Sequence, residues 1–165
     1  MEKVAYTEGG ILKRKKKGGA IMATVFDVAK YILHKMGRIS TWKLQKLCYY
    51  SQAWQLAWTG RSIFEENFEA WANGPVCPEL FYEHRGMFAV GESDISRGDA
   101  NNLSDDEKES IDIILKDYGE LEPYTLRELS HKESPWKDAR GNLPEGAKCQ
   151  TVITKASMGE YYGSL

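Results

Sequence analysis

The sequence predicts a mainly α fold: one compact domain of about six or seven helices around a buried second helix, with little or no sheet. The chain has 165 residues, of which 42% are hydrophobic and 12% aromatic, enough to build the core of a single domain. Apolar residues recur at spacings of three and four in several segments, as on one face of a helix. Residues 41–59 are apolar on nearly all faces, which is typical of a helix at the centre of its domain.

The first two helices follow from apolar spacing and from the residues at their ends. Gly37 is expected to stop the first helix, and the Ser40 hydroxyl can cap the start of the second. The Thr59-Gly60 pair marks the end of the second helix, because glycine adopts a left-handed C′ conformation at little cost. The first apolar face comprises Val25, Val28, Ala29, Ile32, Leu33 and Met36, and the second comprises Leu44, Leu47, Cys48, Ser51, Trp54, Gln55 and Trp58.

The next part of the chain is predicted to be less regular. Phe64 to Val76 fits neither a helical period nor strict alternation, so we expect it to be extended or irregular. Asn73-Gly74-Pro75 predicts a turn, because glycine tolerates a positive φ and proline fixes its own φ. Pro78 suits the first position of a short helix that runs to about Arg85, since its missing N–H has no helical partner there.

The second half is predicted to contain three helices. Ser104 and Glu107 form a capping box, in which each side chain satisfies a free N–H of the other. Pro123 suits the first turn of the next helix, and Ser134-Pro135 is expected to stop it. A surface loop over Gly86 to Asn102, with a short strand near Phe88 to Val90, is predicted to come before these helices. The helices are predicted to span Asp105 to Tyr118, Pro123 to the stop at Ser134-Pro135, and Lys155 to Tyr162, and Gly119 is expected to end the first of them.

Charge separates a short basic segment from the rest of the chain. Residues 1–21 hold six Lys or Arg and two Glu, a net charge of +4, whereas residues 22–165 hold 16 against 22, a net charge of −6. The run Lys13 to Lys17 can be interpreted as an arm for nucleic acid or an anionic membrane, or as a solvated tail. We favour a third hypothesis: codons for Lys17-Gly18-Gly19 can contain the purine-rich run AAGGAGG, which resembles a bacterial ribosome-binding sequence, and Met22 follows at a suitable distance. Residues 1–21 are then a disordered basic leader that is not native, and the domain spans residues 22–165.

Several classes of function lack their sequence signals. No run of about eighteen apolar residues occurs, and no export signal follows the basic run, which indicates a cytoplasmic protein. The cysteines show no C-x-x-C spacing, so we expect buried thiols and neither disulfides nor a zinc site. The histidines lie on three different elements without metal-ligand spacing, and no phosphate loop or nucleophile elbow is present. We therefore expect no catalytic residue, no metal and no cofactor. The residues concerned are Cys48, Cys77, Cys149, His34, His84 and His131.

Two groups of residues are candidates for binding. The Asn73-Gly74-Pro75 turn is flanked by Trp71, Phe81 and Tyr82, which together can form a rigid apolar platform of the kind found at protein interfaces. Such a turn also serves simply to redirect a chain. The segment from His131 to Trp136 looks enzymatic at first sight, but its simpler interpretation is structural: the histidine caps a helix end, the proline ends the helix, and the tryptophan fills the core or a groove.

Four separated segments, in this order, resemble the Panacea-domain antitoxin family. They are Lys43 to Trp54, Phe68 to Val76, Leu129 to Trp136 with its His-x-Glu-x-Pro-Trp pattern, and Gly159 to Tyr162. The resemblance runs from about Thr24 to the end of the chain. Members of this family include SocA-type protease adaptors and phage-associated GepA-like proteins. They are small, mostly helical proteins, many of them encoded beside a toxin.

The resemblance implies an antitoxin, and not an enzyme, that neutralises a cognate toxin encoded nearby through direct protein–protein binding. Some members act as adaptors that deliver the toxin to an ATP-dependent protease, and the sequence leaves both mechanisms open. The toxin-binding residues expected from the turn and from the His-x-Glu-x-Pro-Trp segment are Trp71, Asn73, Gly74, Pro75, Tyr82 and Trp136.

A helix-turn-helix DNA-binding regulator is the alternative, because residues 37–40 join two helices in the outline of that motif. Against it, the would-be recognition helix offers only Lys43 and Lys46 among many Trp, Tyr and Leu residues. Phosphate binding needs a basic face, and residues 22–165 carry a net charge of −6. We therefore expect neither nucleic acid nor a membrane as a partner.

Deleting residues 1–21 is expected to change the free energy of unfolding by no more than about 0.5 kcal/mol, because this basic, glycine-containing segment has little apolar surface to bury. Urea unfolding of the full chain and of residues 22–165 measures the difference. A larger loss, or hydrogen-exchange protection before Met22, would contradict the expectation. Mass spectrometry of protein from the native host tests the leader hypothesis, which an intact N-terminus at Met1 would overturn.

Overall fold

The computed structural model describes residues 22–165 in full, together with the backbone of two short strands before them. These strands are β1 (Lys16–Lys17) and β2 (Ala20–Ile21), which pair antiparallel. The rest of the expected leader, residues 1–15, 18 and 19, lies outside the described residues. The expectation that residues 1–21 are disordered and not native concerns mainly these residues and stays a prediction.

The described residues form a mainly α domain, as predicted. Its helices are α1 (Val25–Met36), α2 (Thr41–Thr59), α3 (Pro78–His84), α4 (Asp105–Tyr118), α5 (Pro123–Lys132), α6 (Ser134–Arg140) and α7 (Lys155–Gly163). Its further strands are β3 (Ile39–Ser40), β4 (Phe68–Trp71), β5 (Gly74–Val76), β6 (Ala89–Val90) and β7 (Val152–Ile153).

Helix α2 is the centre of the domain. It packs against α1, α4, α5 and α7, and twelve of its 19 residues are buried. Leu44 and Leu47 are fully buried, whereas Trp54 is half-buried and donates from Nε1 to the Tyr118 hydroxyl at 2.9 Å. Trp58, at the end of the predicted stripe, is exposed. The expectation of a buried second helix is confirmed.

The helix ends also follow the sequence signals. The Ser40 hydroxyl accepts from the Lys43 backbone N–H at 3.1 Å, and Ser104 forms the expected capping box with Glu107. Gly60 closes α2 in the left-handed conformation, with φ of 71°. These ends depend on side chains within a few residues of the helix, which is why a local pattern is enough to place them.

The structure adds detail to the sequence-based prediction in three places. Residues 68–76 are a β-hairpin, whose loop is Ala72-Asn73, and β7 joins it to give the strand order β5-β4-β7. Ile39–Ser40, expected in a turn, pairs with β6, which lies in the predicted strand region. Ser134-Pro135, expected only to stop a helix, also begins α6, because a proline in the first turn needs no helical N–H partner.

Replacing Leu47 with Ala is expected to lower the free energy of unfolding by roughly 2 to 5 kcal/mol, because it removes a fully buried side chain and leaves a cavity. Urea unfolding measures the loss. The exposed Leu143 provides the matched control, and its replacement with Ala should cost less than about 0.5 kcal/mol. Equal midpoints for the Leu47 variant and the parent would contradict the central position of α2.

Candidate functional site

Two glutamines of α2 hold the chain on either side of the β4–β5 hairpin. Gln45 accepts from the Cys77 N–H at 2.8 Å and donates to the Cys77 carbonyl at 3.3 Å. Gln52 accepts from the Ile63 N–H at 2.8 Å and donates to the Phe64 carbonyl at 2.7 Å. A primary amide offers the same donor and acceptor pair as a peptide group, so each glutamine replaces a strand partner. Residues 63–77 are thereby tied to the central helix.

Lys46 lies between these two glutamines and is almost completely buried, with 1% of its surface exposed. Its Nζ donates to the Pro75 carbonyl at 3.0 Å and lies 5.7 Å from the centre of the Trp42 ring. Among residues 22–165, no carboxylate comes within 4.0 Å of this amine. Burial, and next the positive charge of Arg127, lower the pKa of Lys46 from 10.5 to about 7.

Gly74 makes room for this lysine. Its φ is 112°, a conformation that residues with a side chain rarely adopt. A Cβ added at Gly74 would lie 2.5 Å from Cε of Lys46 and 3.0 Å from Oγ of Ser130. With a side chain at position 74, the end of the Lys46 side chain would have to leave its present position.

A pocket of about 550 Å³ opens beside Lys46. Its walls come from the first two turns of α2, the hairpin tip, α3, the segment 146–150, and Gly86 and Met87, which follow α3. Rings dominate the apolar part: the Trp71 and Phe81 centroids are 5.1 Å apart, and Phe81 also lies edge-on to His84 at 5.5 Å. Among the described residues, those that line the pocket include Lys46 and Lys148 but no Asp or Glu.

His84 forms part of the pocket wall and acts as an acceptor there. Gln45 Nε2 lies 3.0 Å from His84 Nε2 and can only donate, because Oε1 of the same amide accepts from Cys77. The ring proton therefore belongs on Nδ1. Burial lowers the pKa of His84, and the neighbouring Lys46 lowers it further, in agreement with a neutral ring.

The expected binding residues occupy three different positions relative to this pocket. Trp71 and Asn73 line it, whereas Gly74 and Pro75 are buried below the hairpin tip. Tyr82 is 68% exposed and lies next to the wall residue Phe81, with ring centres 6.0 Å apart.

Trp136, the sixth expected binding residue, is buried behind the hairpin. Its Nε1 donates to the Trp71 carbonyl at 2.9 Å, and its ring stacks on His131 with centres 3.8 Å apart. Arg140 lies 4.8 Å from the same ring and donates to the Ala70 carbonyl at 2.9 Å. Trp136 therefore holds the backbone at Trp71 from behind the hairpin.

Sequence reasoning missed Lys46, Lys148, Trp42 and Phe88 as members or neighbours of the site. Phe88 is 83% exposed, and its carbonyl accepts from the Thr41 N–H at 3.0 Å, which places it beside the start of α2. A signal for Lys46 was available: a charged residue in a helix that is apolar all round must be either buried or on a narrow exposed strip.

The His-x-Glu-x-Pro-Trp segment has structural contacts throughout. Glu133 is buried and accepts from the hydroxyls of Tyr50 at 2.6 Å and Tyr162 at 2.8 Å, which connects α2 and α7 to the α5–α6 junction. Burial raises the pKa of Glu133, and the two hydrogen bonds oppose that rise. His131 was expected to cap a helix end, but its Nδ1 instead lies 3.1 Å from the Glu145 carboxylate.

Glu128, His131 and Glu145 come together although their spacing in the sequence does not suggest a cluster, with ligand atoms all within 4.8 Å. Arg127 already supplies a positive charge to this group, because it pairs with Glu128 and lies 3.9 Å from Glu145. Its Nε donates to the Asn73 side chain at 3.1 Å. The cluster is thus an ion-pair network that supports the hairpin tip.

Two further expectations can be compared with the structure. The three cysteines are free and buried, as predicted, and burial raises the pKa of Cys48 well above its usual value and that of Cys77 to about 12. None of the described helices combines the length and the apolar character needed to cross a membrane. The would-be recognition helix α2 is mostly buried, Lys46 included.

Comparison with known proteins shows which family the sequence matches. The family model described as "Antitoxin SocA-like, Panacea domain" matches residues 44–137, which is more than half of the chain and extends from Leu44 in α2 through the hairpin, α3, α4 and α5 to the start of α6. No curated protein and no solved structure matches the chain.

Replacing Lys46 with Met is expected to make stability less dependent on pH. In the wild type the folded pKa is about 7, below the value of about 10.4 for an unfolded lysine, so between these values the unfolded state binds more protons. The wild-type free energy of unfolding should therefore rise by up to about 1.4 kcal/mol per pH unit above pH 7, relative to the variant.

Urea unfolding at pH 6.5 and pH 9 measures how much the free energy of unfolding changes with pH in each protein. Loss of the hydrogen bond to Pro75 lowers the stability of the variant equally at both pH values, so it does not affect this comparison. The half-buried Lys43 on the same helix is the control, and its replacement with Met should leave the pH profile unchanged. Parallel profiles for the wild type and the Lys46 variant would contradict a depressed lysine pKa.

Proposed function

The chain belongs to the SocA-like Panacea-domain antitoxin family, and from this premise we propose that it neutralises a cognate toxin by binding it directly through the pocket face. We define the pocket face as the 550 Å³ pocket together with the apolar side chains around it. These side chains are Trp42, Trp71, Phe81, Tyr82, Met87 and Phe88.

The observation that carries the proposal is the exposure of large rings around one concave site. Trp42, Tyr82 and Phe88 are 42%, 68% and 83% exposed, respectively. Single exposed apolar residues are common on protein surfaces, but a group of them around a pocket is typical of an interface. Aromatic residues are also enriched among the anchors that contribute most to binding.

The support behind the pocket face favours a preformed binding surface. The Trp71 carbonyl is held by Trp136, and the Asn73 side chain is held by Arg127. Residues that are fixed before binding lose little conformational entropy in the complex. A rigid hairpin tip therefore suits a stable complex with one folded partner.

We further propose that neutralisation is stoichiometric masking in the cytoplasm, where an antitoxin meets its toxin as the toxin is made. Delivery to an ATP-dependent protease would use the same toxin-binding step and would add a second surface for the protease. The pocket face serves either mechanism, and the chemistry proposed for it is recognition without catalysis.

Co-expression with the adjacent gene product is expected to rescue growth through a stable complex with an interface of about 1,600 Å² in total. Replacing Tyr82 or Phe88 with Ala should weaken this complex by more than about 1 kcal/mol, because each removes an exposed ring from the pocket face. Titration calorimetry measures binding, and thermal unfolding should show nearly unchanged melting temperatures for both variants.

Trp58→Ala is the control, since Trp58 is exposed at the other end of α2, about 24 Å from Trp42 at 1.5 Å per residue. It should bind as the wild type does. If binding survives in the Tyr82 and Phe88 variants, the pocket face is not the interface. If no neighbouring toxin exists and the domain binds duplex DNA with a steep salt dependence, the regulator takes the place of this proposal.

A further inference from the structure

We propose that the pocket receives an acidic side chain of the toxin, whose carboxylate binds Lys46 while an adjacent apolar residue of the toxin packs against Trp42, Trp71 and Phe81. This inference rests on the proposed function, because it specifies what the partner inserts into the pocket face. It concerns a chemical class of anchor that the family match does not provide.

The charge of the pocket is the first argument. Residues 22–165 carry a net charge of −6, yet the described lining contains two lysines and no carboxylate. The pocket is therefore a local exception in an acidic domain. Complementary charge across an interface gives specificity and orients the partner.

The second argument is that Lys46 has more hydrogen-bond donors than acceptors around it among the described residues. An ammonium group has three donors, and the Pro75 carbonyl accepts from one of them. The charged groups that face Lys46 from the surrounding elements are Arg127 of α5, His84 of α3 and Lys148 of the segment 146–150, and none is an acid. A buried cation without a counter-ion is unfavourable, so an incoming carboxylate would complete the site.

The shape of the pocket is the third argument. A volume of about 550 Å³ lies within the range of sites that enclose a small ligand or a few side chains. Lys46 forms one part of the wall, and the rings of Trp42, Trp71 and Phe81 form another. The matching occupant has a carboxylate and an apolar group side by side, as in a Glu or Asp next to a large apolar residue.

Proton uptake should accompany binding. The carboxylate needs the protonated lysine, and the pKa of Lys46 in the free protein is lowered to about 7, first by burial and then by Arg127. A bound carboxylate raises that pKa again, so binding above pH 7 takes up a proton and weakens as the pH rises. The loss is about fivefold between pH 7 and pH 8, and above pH 8 it approaches about tenfold per pH unit while the complex stays protonated.

The test uses the full chain, labelled with 15N, and two blocked dipeptides, acetyl-Glu-Phe-amide and acetyl-Gln-Phe-amide, titrated by NMR at pH 6.5 and pH 8.5. We expect shifts at the pocket residues, at least fivefold tighter binding of the Glu peptide at pH 6.5, and loss of that preference at pH 8.5. In the Lys46→Met variant both peptides should bind equally weakly, whereas Lys43→Met should behave as the wild type.

Several results would overturn the inference. They are equal binding of the two peptides to the wild type, an unchanged preference in Lys46→Met, and acetate or inorganic phosphate binding at the same site as tightly as the Glu peptide, which would indicate a site for small anions. Unchanged binding of the toxin by a folded Lys46→Met variant would also overturn it and leave the antitoxin role intact. Failure of the wild type to bind the adjacent gene product would instead overturn the proposed function. The preference for the Glu peptide over the Gln peptide is measured in a separate titration, so the two failures can be told apart.

Discussion

The structure depends on one constraint: a helix that is buried on nearly every side must find partners for its polar side chains inside the domain. Helix α2 meets it with Gln45, Lys46 and Gln52, which bind the backbone of residues 63–77. Unpaired, these groups would each be costly in the core. Because the partners are backbone atoms, the same bonds that satisfy α2 also position the hairpin.

The opposite side of the hairpin is held by the α5–α6 region. Trp136 and Arg140 bind the carbonyls of Trp71 and Ala70, and Glu133 connects this region to the tyrosines of α2 and α7. The backbone of the hairpin is therefore engaged from two sides. Its tip faces the first turns of α2, the second half of α3 and the segment 146–150, and the pocket lies between these four parts of the chain.

Helix limits were predictable from the sequence because Ser40, Gly60 and Ser104 act on groups only a few residues away. The three-stranded sheet was not, since β4 pairs with β7 across about half of the chain and neither strand is long enough to show a period. The role of Lys46 was also missed, because a lysine on a helix is ordinarily taken as exposed. The sequence consequently predicted the pocket only at Trp71, Asn73, Phe81 and the neighbouring Tyr82.

Two departures from ordinary protein construction meet at the floor of the pocket. Lys46 is a buried lysine without a carboxylate partner among residues 22–165, and Gly74 has a positive φ in a strand and leaves the space that Lys46 occupies. A buried lysine without a counter-ion lowers stability relative to an apolar residue, and a glycine loses more conformational freedom on folding than other residues do. Local choices that oppose stability are expected mainly where a protein acts. Their coincidence below a group of exposed aromatic residues therefore supports the proposal that this face binds a partner.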